Sequence, residues 1–144
     1  MISRDDLGFL LAKASQRWNE LLAERFTEAG FPEVRPSYGS VLVPLFEEDG
    51  LRLGEIARRA RLSKQTMTTL VRLLERDGLV ERRADPLDGR ATLVFLTPRA
   101  RAFRPVAEAT LTDLGRRSRR LLGAANADAV NDGLRLLADL DGSG

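Results

Sequence analysis

Residues 53–98 read LGEIARRARLSKQTMTTLVRLLERDGLVERRADPLDGRATLVFLTP. Leu53, Ile56, Ala57 and Ala60 recur at helical spacing and predict a short helix over 53–59. Arg61-Leu62 follows, then Ser63, an N-cap type with Thr66 three residues on. Met67, Leu70, Val71 and Leu74 continue the apolar period and predict a helix over 63–76, closed by Gly78. Two short helices joined by a tight turn make a helix-turn-helix candidate. Leu79–Arg83 and Ala91–Leu96 read as strands, and Asp85-Pro86-Leu87-Asp88-Gly89-Arg90 between them is turn chemistry. The pair predicts a β-hairpin with a polar, extended tip. Thr97 as N-cap and Pro98 at the first helical position open the next helix.

Outward from this stretch the chain is helical. Over residues 4–29, Leu7, Leu10, Leu11, Ala14, Trp18, Leu21, Leu22 and Phe26 form one apolar stripe. Ser3 is the expected N-cap, with Asp5 and Asp6 in the first turn and Gly30 and Pro32 as the stop. Such a helix is longer than a small lobe needs, so part of its stripe is expected to pack on another subunit. Pro36 starts a second helix running to about Glu48, with a kink expected at Pro44 and a stop at Gly50. Phe103, Val106, Thr110, Leu114 and Leu121 mark the helix after Pro98. Val130, Leu134, Leu137 and Leu140 mark a last one near 126–140. The tail at 141–144 is short and polar, and fraying is expected there.

Composition removes several function classes. The 144 residues suit one compact subunit, and 43% apolar content is enough for a core. There is no cysteine, which excludes disulfides, zinc–thiolate sites and thiol redox sensing. There is no histidine, which removes the commonest general base and metal ligand. An enzyme, a cofactor and a metal are therefore not expected. No apolar run reaches transmembrane length, so no membrane partner is expected. Met1-Ile2-Ser3-Arg4-Asp5-Asp6 carries two early acids and no apolar core, which argues against a signal peptide and makes the cytoplasm the expected location. Net charge is only +2, but residues 52–104 hold 13 Lys/Arg against 6 Asp/Glu. A basic middle between acidic flanks suggests one surface for a polyanion.

The helix over 63–76 turns Lys64, Gln65, Thr68, Thr69 and Arg72 away from its apolar side. These are side chains suited to base edges and phosphates in a major groove. Ser63 and Thr66 join them at its start. The hairpin offers Arg82, Arg83 and Arg90, and a protruding arginine suits a narrow minor groove. Asp88 is expected to hold the Arg90 guanidinium in one orientation. Helix face and basic hairpin, adjacent in sequence, are more specific together than either alone. Arg17, Trp18 and Tyr38 fall where the first two helices should meet, an aromatic wall beside a cation that would suit an aromatic carboxylate. Trp18 also lies on the apolar stripe and has a plain core role open to it. The run Arg116, Arg117, Arg119 and Arg120 reads as a solvated helix face.

With these residues in view, the chain resembles the MarR family of winged-helix regulators. The DPLDGRA segment at 85–91 and the LTP opening at 96–98 carry the likeness most clearly. The resemblance implies a mostly α fold with a small β-wing: a winged helix-turn-helix lobe over 36–98, with dimerisation helices at 1–30 and 99–140, in one subunit spanning 1–144. It implies a homodimer on double-stranded DNA, with Ser63–Arg72 in the major groove and Asp88 and Arg90 in the adjacent minor groove. It also implies a repressor released by a small aromatic or anionic effector. A winged-helix protein-interaction module is the rival reading. Against it, the exposed face of 63–76 is more polar than the core of a protein interface.

Overall fold

The computed structural model describes residues 1–142; Ser143 and Gly144, part of the expected frayed tail, lie outside the described residues. In chain order the elements are α1 (Leu7–Glu28), a 3-10 turn (Pro36–Tyr38), α2 (Gly39–Glu47), β1 (Leu51–Arg52), α3 (Leu53–Ala60), α4 (Lys64–Arg76), β2 (Val80–Asp85), β3 (Asp88–Leu96), α5 (Pro98–Leu122) and α6 (Ala124–Ala138). The chain divides into two compact units, Met1–Ala107 and a second beginning at Glu108.

The core of the first unit is built by the apolar periods of α2, α3 and α4 and by the hairpin. Val41, Leu42, Leu45, Ile56, Met67, Val71, Leu74, Leu79, Val80 and Val94 are all buried. An antiparallel sheet in the order β1-β3-β2 flanks them, with Leu51 opposite Val94 and Val80 opposite Leu96. Strand β1, two residues long, was not expected from the sequence. It is too short to show a period of two. Gly50 turns the chain into it with φ +71, and a Cβ there would meet the Phe95 ring at 2.7 Å, so no other residue fits without strain. Phe103 of α5 packs edge-on against Phe26 and Phe31, at centroid distances of 4.7 and 5.3 Å.

Three local expectations are corrected. Helix α1 begins at Leu7, not residue 4, because Ser3 and Asp6 close a turn on each other: the Ser3 amide donates to the Asp6 carboxylate at 3.0 Å. The helix opening at Pro36 starts as a 3-10 turn and becomes α only at Gly39. The hairpin connection is just Pro86 and Leu87, so Asp85, Asp88, Gly89 and Arg90 belong to strands. The cap assignments at Ser63 and Thr97 match the structure. The Ser63 hydroxyl accepts the Thr66 amide at 3.1 Å, and the Thr97 hydroxyl accepts the Ala100 amide at 3.2 Å while donating to the Gly78 carbonyl.

In the second unit, Gly123 at φ +86 separates the end of α5 from α6, and Arg119 pairs with Asp128 at 2.9 Å. Leu114 and Ala127 are buried, whereas Val130, Leu134, Leu136 and Leu140 are exposed.

Candidate nucleic-acid interface

Helix α4 is held by its buried side and presents the rest. Met67, Val71 and Leu74 anchor it, and Ser63, Lys64, Gln65, Thr66, Thr69 and Arg72 are exposed, with Thr68 half-buried. The Thr68 hydroxyl donates to the Lys64 carbonyl at 2.8 Å, and the Thr69 hydroxyl to the Gln65 carbonyl at 3.2 Å. Each hydroxyl has a single proton, so both threonines offer an acceptor oxygen and a methyl group outward, not a donor. Among the described residues, the side chains of Lys64, Gln65 and Arg72 make no hydrogen bond or ion pair, which leaves their donors available.

The hairpin divides its arginines into tethered and free. Arg82 donates to both oxygens of Glu75 in the last turn of α4, at 2.9 and 3.1 Å, and holds the Glu75 carboxyl below the usual range. Arg83 pairs with Glu81 at 3.0 Å and lies over the Phe95 ring at 4.4 Å. Arg90 is exposed, and its guanidinium has no partner among the described residues. Asp88 does not orient that guanidinium as expected. Its carboxylate accepts the Arg90 backbone amide at 3.1 Å, a local Asx geometry that fixes the strand just past the tip. The tip is also braced from β1: Arg52 donates twice to buried Asp85, at 2.8 and 3.1 Å. Asp85 accepts the Leu87 amide at 2.9 Å, and that bond first, then Arg52, depresses its pKa.

Two grooves flank α4. One, of about 570 Å³, brings Arg52, Lys64, Thr68, Arg82, Asp88 and Arg90 around a common space between α3, α4 and the hairpin. The other, about 540 Å³, runs along Gln65, Thr66 and Thr69 on one side and Ser37 and Ser40 on the other. The helix candidates and the hairpin candidates therefore meet at Lys64 and Thr68. Arg83 lies outside both grooves and lines a smaller one with Glu75, Arg82, Ala84 and Gly89.

The three candidate effector residues occupy different settings. Tyr38 is fully buried, and its hydroxyl donates to Asp77 at 2.5 Å. Burial, and then Asp77, raise the Tyr38 pKa, while Arg76 and Tyr38 lower that of Asp77. Arg17 is exposed and pairs with Glu20 at 3.2 Å, and Trp18 is half-buried. Arg52, Glu75, Asp77 and Asp85 escaped the sequence reading. The Asp-Pro pair at 85–86 was the one local sign of a constrained carboxylate. Among the described residues, no three carboxylates converge to hold a metal ion, and no helix is long and apolar enough to cross a membrane.

A helix-turn-helix whose second helix is followed directly by a braced β-hairpin defines a winged-helix protein. The sequence model of the MarR family matches residues 41–91. The HTH-type transcriptional regulator TtmR of Methylorubrum extorquens is 41% identical over 64 residues, 44% of this chain and 33% of that protein, so the matched stretch spans a third of the relative's length. A probable transcriptional regulator from Pseudomonas aeruginosa superposes with TM-score 0.78 and 29% identity over 92% of this chain and 97% of that one. The transcriptional repressor CouR, bound to a 23-mer DNA duplex, superposes with TM-score 0.78 and 26% identity over 96% and 99%. This chain is similar to MarR-family regulators, in sequence over residues 41–91 and in fold over nearly its whole length. Its relatives are regulators and not enzymes.

Proposed function

We propose that the chain is a sequence-specific double-stranded DNA-binding transcriptional regulator that works as a homodimer in the cytoplasm. The observation that carries this reading is the groove where Lys64 on α4 and Arg90 on the hairpin converge with no carboxylate bonded to either side chain. Cations that the fold positions and leaves unneutralised suit a phosphate backbone. Gln65, next to Lys64 in sequence, lines the other groove beside α4 and supplies a bidentate group for an adenine edge. CouR, with the same fold, is a repressor seen on duplex DNA. The lobe over 36–98 carries this surface.

The dimer rests on uncovered apolar side chains in the segments 1–30 and 99–140. Leu7, Phe9, Leu10 and Leu11 are exposed at the start of α1, Leu121, Val130 and Leu134 in α5 and α6, and Leu140 just past α6. Side chains of this kind, repeated along helices, need a partner surface. Repression relieved by a small aromatic or anionic effector is the finer part of the proposal. Arg17 and Trp18 offer the cation and the ring, and Tyr38 is bonded to Asp77 at the end of α4.

The test is a fluorescence-anisotropy titration of random and selected duplexes across a salt series. Log affinity against log salt should fall with a slope steeper than about −4, and selected fragments should carry two half-sites about 10 bp apart. A slope near zero would overturn the reading.

A further inference from the structure

The tip of the hairpin carries an apolar side chain where a charge would be expected. Leu87 is 93% exposed, more than any other large apolar residue among the described residues except Met1 and Ile2 at the N-terminus. A single exposed leucine is ordinary. Leu87 differs in how firmly it is presented. Its amide is held by Asp85 at 2.9 Å, and Asp85 is held in turn by two donors of Arg52. Pro86 precedes it with a ring-fixed φ. On its other side Asp88 holds the amide of Arg90 at 3.1 Å. The fold thus fixes the backbone on both sides of an apolar group and sets it three residues from the unpaired guanidinium of Arg90.

We propose that Leu87 is a specificity-determining contact of the hairpin with the DNA minor groove, lying against the groove floor beside Arg90 and disfavouring G·C pairs there. This rests on the DNA-binding reading above. In the minor groove an A·T pair offers no donor, whereas a G·C pair projects the guanine N2 amino group. A leucine pressed on that amino group would strip its water and return no hydrogen bond. Over an A·T pair the same side chain covers acceptors that a G·C pair also has and meets the adenine C2–H where the amino group would stand, so the extra cost falls on G·C. Arg90 reads the width and potential of the groove and no base edge, and Leu87 adds a preference at the pair it covers.

The experiment uses a duplex selected by the full-length protein, with the pairs under the hairpin tip set to A·T, G·C or inosine·C. Inosine·C keeps the major-groove face of G·C but lacks the N2 amino group. The parent should bind the A·T and inosine·C duplexes alike and the G·C duplex about ten times more weakly. Leu87→Ala should compress that difference to about twofold or less, with no change in melting temperature. Leu87→Lys should also lose the discrimination, although its added cation strengthens binding to all three duplexes. Arg90→Ala is the control: it should weaken all three and keep their order. If Leu87→Ala keeps the parent's ratio, or weakens all three equally, the inference falls while the DNA-binding reading stands. If the parent binds no duplex, both fall.

Discussion

Arg82, near the start of the hairpin, donates two hydrogen bonds to Glu75 in the last turn of α4, at 2.9 and 3.1 Å. The pair ties the root of the wing to the end of the helix expected to read DNA. It also separates two arginines that look alike in the sequence, since Arg82 is neutralised and Arg90 is not. Arg90→Ala should weaken binding to every duplex and flatten the log–log salt slope by about one. Arg82→Ala should change that slope by much less than one, and should cost stability on the order of 0.5 kcal/mol, as half-exposed pairs do. Glu75→Gln should release Arg82 and steepen the slope. Salt titrations of the three variants on one duplex check all of this, and equal slopes for Arg82→Ala and Arg90→Ala would show that the tether does not hold on DNA.

Gln65 tests the helix rather than the wing. It is exposed beside Lys64, and its amide is uncommitted among the described residues, so it can pair with a base edge. Gln65→Ala should cost about 1–3 kcal/mol on a selected duplex and little on a scrambled one. Thr69 makes a contrasting control. Its hydroxyl proton goes to the Gln65 carbonyl at 3.2 Å, so Thr69→Val removes only an acceptor and should cost less than Gln65→Ala. Competition titrations with both duplexes separate the two, and equal losses on cognate and scrambled DNA would remove Gln65 from base reading.

The helix-turn-helix was legible because its signals are local. The Ser63 cap, the Met67–Val71–Leu74 period and the Gly78 stop each act within one or two turns of chain, and the structure keeps all three. The bracing of the wing was not legible, because its partners are remote in sequence. Arg52 and Asp85 lie 33 residues apart and meet only because β1 pairs with β3, and a two-residue strand leaves no period to read. Asp88 was misread through turn length. A six-residue turn would leave its carboxylate near the Arg90 guanidinium. The actual two-residue connection puts Asp88 in β3, where the nearest donor is the Arg90 amide. At the N-terminus, Ser3 is a good cap type, but the N-cap position falls at Asp6, whose carboxylate bonds back to the Ser3 amide and caps no helical amide.

Self-association should be tested on the apolar side chains that the fold leaves uncovered. Leu10 in α1 is 48% exposed and Leu134 in α6 is 44% exposed, each on an apolar stripe. Leu10→Glu and Leu134→Glu should each shift sedimentation toward the monomer at micromolar concentration and weaken binding to a two-half-site duplex. Far-UV circular dichroism should change little in the first unit, whose core does not include Leu10. A parent protein that sediments as a monomer would end the homodimer proposal, and the paired half-sites with it.

Tyr38 and Asp77 give the pH prediction. The Tyr38 hydroxyl is buried and donates to Asp77, the residue just past α4, so it clamps the end of that helix to the start of α2. Tyr38→Phe removes the donor but leaves Asp77 its bond from Arg76 at 3.1 Å. The variant should lose about 1–2 kcal/mol of stability near neutral pH, close to the worth of a hydrogen bond to a charged group. Asp77 titrates in the folded state below its ordinary 3.8, through Arg76 and then Tyr38. A depressed carboxylate contributes stability that is present above its unfolded pKa and is lost as pH falls through the folded one. Tyr38 titrates above its ordinary 10.0, so its contribution is full below that value and is lost as pH rises beyond it. Parent stability should therefore fall below about pH 4 and again above about pH 10, and in Tyr38→Phe both limbs should be shallower. Urea unfolding across pH 3–11 measures this. Parallel curves for parent and variant, offset by a constant, would mean that the clamp does not couple to the titration of either group.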